Sequence, residues 1–196
     1  MGKMGRGRLF IIFGTQTMTW AIKNSGVQLS DNSKAYLDEL AKILPFNITI
    51  TDGFRTPLQQ AVQMGETRQE QIFNGSGENL DDVYRDKEQA RAIQAKWPDT
   101  QAMSVVIKSY IAQGKYISRH LLNDAFDIRT IGGTNNQLDS SQVSQLVTAL
   151  KEIGLKVVEE RDHVHVEVLK AFDPSQKKSN LLLIAIGIGL ALWTIS

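Results

Sequence analysis

The chain contains no cysteine. A disulfide framework is therefore excluded, and so is a metal site built on thiolates. Any metal must be held by imidazole and carboxylate. Histidine is nearly as scarce, with only three in 196 residues. Neither sign of charge prevails: 22 Lys and Arg face 21 Asp and Glu, for a net charge of +1. That balance removes the electrostatic argument for a nucleic-acid partner. There is no internal repeat and no low-complexity stretch, which excludes solenoid and array architectures. The length allows one domain with a real core and little more.

The two ends differ from the middle. Residues 1–20 carry Lys3, Arg6 and Arg8 ahead of the short apolar run Leu9 to Phe13. That run is too short for the apolar core of a signal peptide, and no small-residue cleavage site follows. The segment reads as a basic N-terminal arm leading into a short strand or docking segment. Residues 181–196 carry no charge, follow Lys177 and Lys178, and hold Trp193 near their far end. As a helix at ~1.5 Å per residue they would reach roughly 24 Å, short of the ~30 Å hydrocarbon core. Bilayer thinning, snorkelling lysines and an interfacial Trp make up the difference. A C-terminal membrane segment is the expectation; a buried helix or a hydrophobic partner-docking tail is the alternative. Between the ends, 21–172 reads as the folded domain and 173–180 as a polar linker.

Periodicity within the domain alternates between 3.6 and 2. Leu37, Leu40, Ala41 and Leu44 mark a helix over Ser33 to Leu44, stopped by Pro45. Asn47 to Thr51 alternates as a strand, Asp52-Gly53 turns, and a helix starts near Leu58 behind Pro57. Further helices are expected over Asp82 to Trp97, Gln101 to Gln113 and Ser141 to Ile153, the last ended by Gly154. Tyr116 to His120 and Ala125 to Arg129 read as strands around an Asn123-Asp124 turn. Leu155 to Glu159 and His163 to Leu169 read as two more. The pattern is α+β: a small antiparallel sheet flanked by helices.

All three histidines fall in two short segments, Ser118 to Asp127 and Asp162 to Glu167. A hairpin turn at Asn123-Asp124 would place His120 beside Asp127. His163 and His165 are two apart, so on a strand they face one side. Two imidazoles and a carboxylate leave zinc one open coordination position, the hydrolytic arrangement. Asp162, three before His165, would face away on a regular strand. It joins the site only where a turn or bulge falls near Arg161-Asp162. Glu160 is the next carboxylate in line. Phe54, Trp97, Tyr116 and Phe126 read as core, and Glu159, Glu160 and Glu167 as solvated strand positions.

These residues resemble a known family. Ser118-x-His120-x-x-Asn123-x-Ala125-x-Asp127 is similar to the SxHxxGxAxD signature of the zinc D-Ala-D-Ala carboxypeptidase, VanX-like dipeptidase and L-alanyl-D-glutamate endopeptidase family. Asp162-x-x-His165 resembles its second signature, and Asp52-Gly-Phe-Arg55-Thr its upstream arginine motif. The resemblance spans roughly Ile48 to Val168. It implies one zinc ion held by His120, Asp127 and His165, with Asp162 as general acid/base. It implies that Arg55 stabilises the developing oxyanion. Ser118 reads as a hydrogen-bond donor near Asp127, and both it and His163 as substrate contacts. His163 is also open to a supporting role or to competition with His165 as ligand. The family glycine is Asn123 here; Asn tolerates the left-handed conformation, so the turn is expected to survive.

The resemblance implies a zinc peptidase acting on a stem or cross-bridge peptide of bacterial peptidoglycan. With the apolar tail, this points to a membrane-associated, tail-anchored protein. The setting would be a host cell membrane or the internal membrane of a phage virion, and the small size and absent leader favour the phage. The alternative is a membrane-anchored wall-binding or virion structural protein that keeps the fold and lacks catalysis; Asn123 is the residue in its favour.

Overall fold

Strict alternation builds the middle of the sheet. In His163-Val-His-Val-Glu167 the valines turn to one face and the polar residues to the other. The computed structural model describes residues 19–23, 25–74, 84–130, 137–160 and 162–176. In these residues five strands form one sheet: β1 (Trp20–Ile22), β2 (Ile48–Asp52), β3 (Ala125–Arg129), β4 (Lys156–Glu159) and β5 (His163–Glu167), in the order β1-β2-β3-β5-β4. The β1–β2 pair is parallel, and the other three pairs are antiparallel. Among the described residues, five helices accompany it: α1 (Asp31–Leu40), α2 (Pro57–Asn74), α3 (Lys87–Gln94), α4 (Thr100–Ile111) and α5 (Ser140–Glu152).

The apolar face carries Ile48, Ile50, Phe126, Ile128, Val164 and Val166 into one core. Leu37 and Leu40 of α1 and Leu146 and Leu150 of α5 close that core. A second cluster joins Ala61 and Met64 of α2, Ala90 and Ile93 of α3, and Met103 and Ile107 of α4. Tyr84 joins them, as do Ile117 and Leu121, which flank His120 in sequence. Four helices begin at polar caps whose side chains accept an otherwise orphaned backbone N–H: Ser30, Asp86, Asp99 and Asp139. The end of the domain is tied to α1. Asn32 accepts from the Phe172 backbone at 2.7 Å and donates to the Lys170 carbonyl at 3.0 Å, and Phe172 packs edge-on against Tyr36.

Several elements differ from the sequence expectation. The sheet is mixed, because Trp20–Ile22, where the expected basic arm meets the domain, adds a parallel edge strand. Tyr116 to His120 is not a strand. Its end forms a 3-10 turn, Arg119–Leu122, capped by Ser118, whose hydroxyl accepts from the His120 backbone at 3.3 Å. Asn123 ends that turn at φ 59, in the left-handed region. β3 therefore pairs with β2 and β5, and no hairpin joins His120 to Asp127. The first helix starts at Asp31, two residues early, because Ser30 supplies the cap. The third begins at Lys87, since Asp86 supplies the cap there. No helix among the described residues is long and apolar enough to cross a membrane. The expected membrane segment 181–196 and most of the basic arm lie outside the described residues.

Candidate metal centre

The site is assembled from three chain segments. β2 ends at Asp52, whose carboxylate accepts from the Gly53 N–H at 2.7 Å. Gly53 can only be glycine: a Cβ there would stand 2.1 Å from the Gln28 carbonyl oxygen. The same carbonyl accepts from the Phe54 N–H at 2.7 Å. This close passage presents the Gly53 carbonyl to His120, and Nδ1 lies 2.5 Å from it. A carbonyl only accepts, so Nδ1 carries the proton and Nε2 keeps its lone pair for a metal. The Arg55 N–H donates to the His120 carbonyl at 3.1 Å, a second link between these segments.

Asp127 and His165 come from β3 and β5, directly opposite each other in register. Asp127 Oδ1 is 3.3 Å from His120 Nε2 and 2.8 Å from His165 Nδ1, and the two imidazole nitrogens are 3.3 Å apart. His120 and Asp127 are buried and His165 partly so. Ligands ~2.0–2.1 Å from a tetrahedral zinc stand roughly 3.3–3.4 Å apart. The three donors therefore form a face of about the right size, made of two nitrogens and one oxygen. Burial pushes the Asp127 carboxyl up, but the adjacent His120 and His165 imidazoles more than reverse it and hold it well below the carboxylate range. It is the anion a cation site needs.

Arg55 packs against this face from α2's side. Its Nε donates to Asp52 Oδ2 at 2.8 Å, Nη1 to Gln60 Oε1 at 3.3 Å, and Nη2 lies 3.5 Å from Asp127 Oδ2. A cleft of about 670 Å³ opens over the site, and Arg55, Ser118, His120, Asp127, His163 and His165 all contribute to its wall.

His163 does not join the donor triangle. Its Nδ1 is 2.7 Å from Asp162 Oδ1 and its Nε2 is 3.1 Å from Glu160 Oε2, while Asp127 Oδ2 is 3.9 Å away. Burial pulls its pKa down, but Glu160, Asp127 and Asp162 outweigh that and raise it to about 9. These carboxylates favour its imidazolium form. The Glu160 N–H donates to the His163 carbonyl at 2.9 Å, and Arg161, where the turn was expected, lies outside the described residues. The Asp162 side chain is 69% exposed and lies outside the cleft wall.

Other wall residues were read differently in the sequence: Glu160, the next carboxylate in line, and Glu167 were expected at solvated strand positions, and Tyr116 in the core. Glu160 and Glu167 face the cleft, the latter clamped by Lys156 Nζ at 2.9 Å to both oxygens. The signal was their parity: Glu167 shares a strand face with His163 and His165, and Glu160 lies opposite His163. Tyr116, expected in the core, is 39% exposed and lines the cleft, because the segment turns rather than extends. Phe126 is core, as expected.

No family model, curated protein or solved structure matches this chain.

Proposed function

We propose that the protein is a zinc-dependent peptidase that hydrolyses a peptide bond in bacterial peptidoglycan. The observation that carries this reading is the donor triangle of His120, Asp127 and His165, with His120 held in the metal-binding tautomer by the Gly53 carbonyl. Bound there, zinc supplies Lewis acidity that lowers the pKa of a water towards ~7 and polarises a carbonyl. The chain supplies the rest. Arg55 presents fixed positive charge at the edge of the site, suited to a developing oxyanion. Ser118 and the cationic His163 line the cleft as contacts for a polar peptide and its carboxylates. Asp162 is the proposed acid/base group, taking a proton from the attacking water and returning it to the leaving amine. In this structure its carboxylate rests on His163, and Glu160 is the carboxylate that lines the cleft. The substrate class follows from the motif resemblance. The uncharged segment 181–196 is the proposed membrane anchor, in a host membrane or a phage virion.

Metal analysis and mass spectrometry of digested peptidoglycan test this together. The expectation is one zinc per chain and peptide fragments whose release both a chelator and His120→Ala abolish. A second reading, a wall-binding protein of the same fold without turnover, draws on the outward placement of Asp162. Wall binding by the zinc-loaded protein with no fragments released would favour it and sink the peptidase.

A further inference from the structure

The second cluster holds a polar residue where an apolar one would pack. Gln60 is 0% exposed, on the stretch of α2 that sends Ala61 and Met64 into the core. A buried amide is costly unless its donor and acceptor are paired. Here both are. Its Oε1 accepts from Arg55 Nη1 at 3.3 Å, and its Nε2 donates to the buried Tyr84 hydroxyl at 3.1 Å. A guanidinium has only donors, so the amide oxygen must face it, which leaves Nε2 for Tyr84.

The other contacts of Arg55 lie along one edge of the guanidinium. Asp52 takes Nε and Nη2, and Asp127 Oδ2 faces Nη2. Nη1 points away from both carboxylates and meets Gln60. Because the group is a rigid planar fork, gripping its free corner sets the direction of the whole plane.

We infer that Gln60, backed by Tyr84, is a positioning residue that aims Arg55 at Asp127 and the cleft. Its kinetic consequence rests on the peptidase reading; its geometric content does not. The simple alternative is a buried amide that satisfies its neighbours and has no bearing on the reaction.

Two measurements on the full-length, zinc-loaded protein decide between them. The first follows the Arg55 Nη–H signals by NMR with isotope-labelled arginine, assigned by Arg55→Lys. A gripped fork gives resolved, slowly exchanging signals. Gln60→Leu should merge or broaden them; unchanged signals overturn the inference. The second compares turnover in wild type, Gln60→Leu, Arg55→Ala and the double variant. Gln60→Leu should lower kcat by about 10-fold with KM within about twofold, and by less than about twofold once Arg55 is already Ala. An equal loss in both backgrounds also overturns it. Tyr84→Phe should act in the same direction with a smaller loss, and it carries both measurements if Gln60→Leu does not fold. If wild-type protein binds zinc but cleaves nothing, the peptidase reading fails while the NMR result still decides the positioning.

Discussion

His163 sits between two carboxylates, Asp162 on Nδ1 and Glu160 on Nε2, and this arrangement separates two candidates for the proton carrier. Neither touches the donor triangle among the described contacts, so neither substitution should release zinc. Asp162→Asn is expected to keep one zinc per chain and lose ~10²–10⁴-fold in kcat. Glu160→Gln is expected to lose less than about 10-fold. A reversed order would move the role to the carboxylate that already faces the cleft, and zinc loss from Asp162→Asn would make it a ligand. Tyr84 gives a pH prediction. Burial pushes its phenol up to about 12, aided by Glu160 and opposed by Arg55 and the Gln60 hydrogen bond. The folded pKa is thus above the ~10 of an unfolded chain. The fold favours the protonated phenol. Its contribution is full below about pH 10 and is lost as pH climbs through 12, on the order of 2–3 kcal/mol. Urea midpoints measured from pH 9 to 12 should fall more steeply for wild type than for Tyr84→Phe. Parallel curves would show that the phenol does not drive the alkaline loss.

At the scale of elements, the 3-10 turn Arg119–Leu122 decides where His120 goes. Asn123 was legible as a left-handed position, whereas Ser118, expected to donate near Asp127, accepts from the His120 backbone as the cap of this turn. The strand expected over Tyr116 to His120 does not form, because a short run without strict alternation leaves the backbone free to follow its caps. Asn123 carries a buried side-chain oxygen with no hydrogen-bond partner among the described residues, at a φ that costs a non-glycine residue roughly 1 kcal/mol or more. Asn123→Gly removes both penalties against the added flexibility of the unfolded chain. It should be neutral to stabilising by about 1 kcal/mol, whereas Asn123→Val should destabilise by about 1–2 kcal/mol. Thermal melts read this directly. A gain in turnover from Asn123→Gly would identify Asn123 as the brake that the non-catalytic reading requires.

For the whole molecule, the two cores and the sheet as described are built from residues between Trp20 and Phe172, and Phe172 is pinned to α1 by Asn32 and Tyr36. Deleting 181–196 is therefore expected to leave a soluble, zinc-binding domain with wild-type turnover on soluble muropeptides, while vesicle flotation is lost. Unfolding of the truncated chain would make the tail part of the core instead. The α+β class and most helices were readable because hydrophobic periodicity is local: α5 and β5 declare their buried faces within a dozen residues. The parallel edge strand was not, since three residues carry too little pattern and gain their partner only through β2.

By itself, the sequence determined the kind of site. With no cysteine and three histidines in two segments, only imidazole and carboxylate can serve, and period-two alternation already puts His163 and His165 on one strand face. Tertiary structure alone decided how these residues are used. It turned His120 Nδ1 onto a carbonyl 67 residues away, set Asp127 opposite His165, and drew His163 aside between Glu160 and Asp162. It also brought Gln60 and Tyr84 behind Arg55. Those choices depend on hydrogen-bond geometry between segments distant in the chain, which no local pattern of residues encodes.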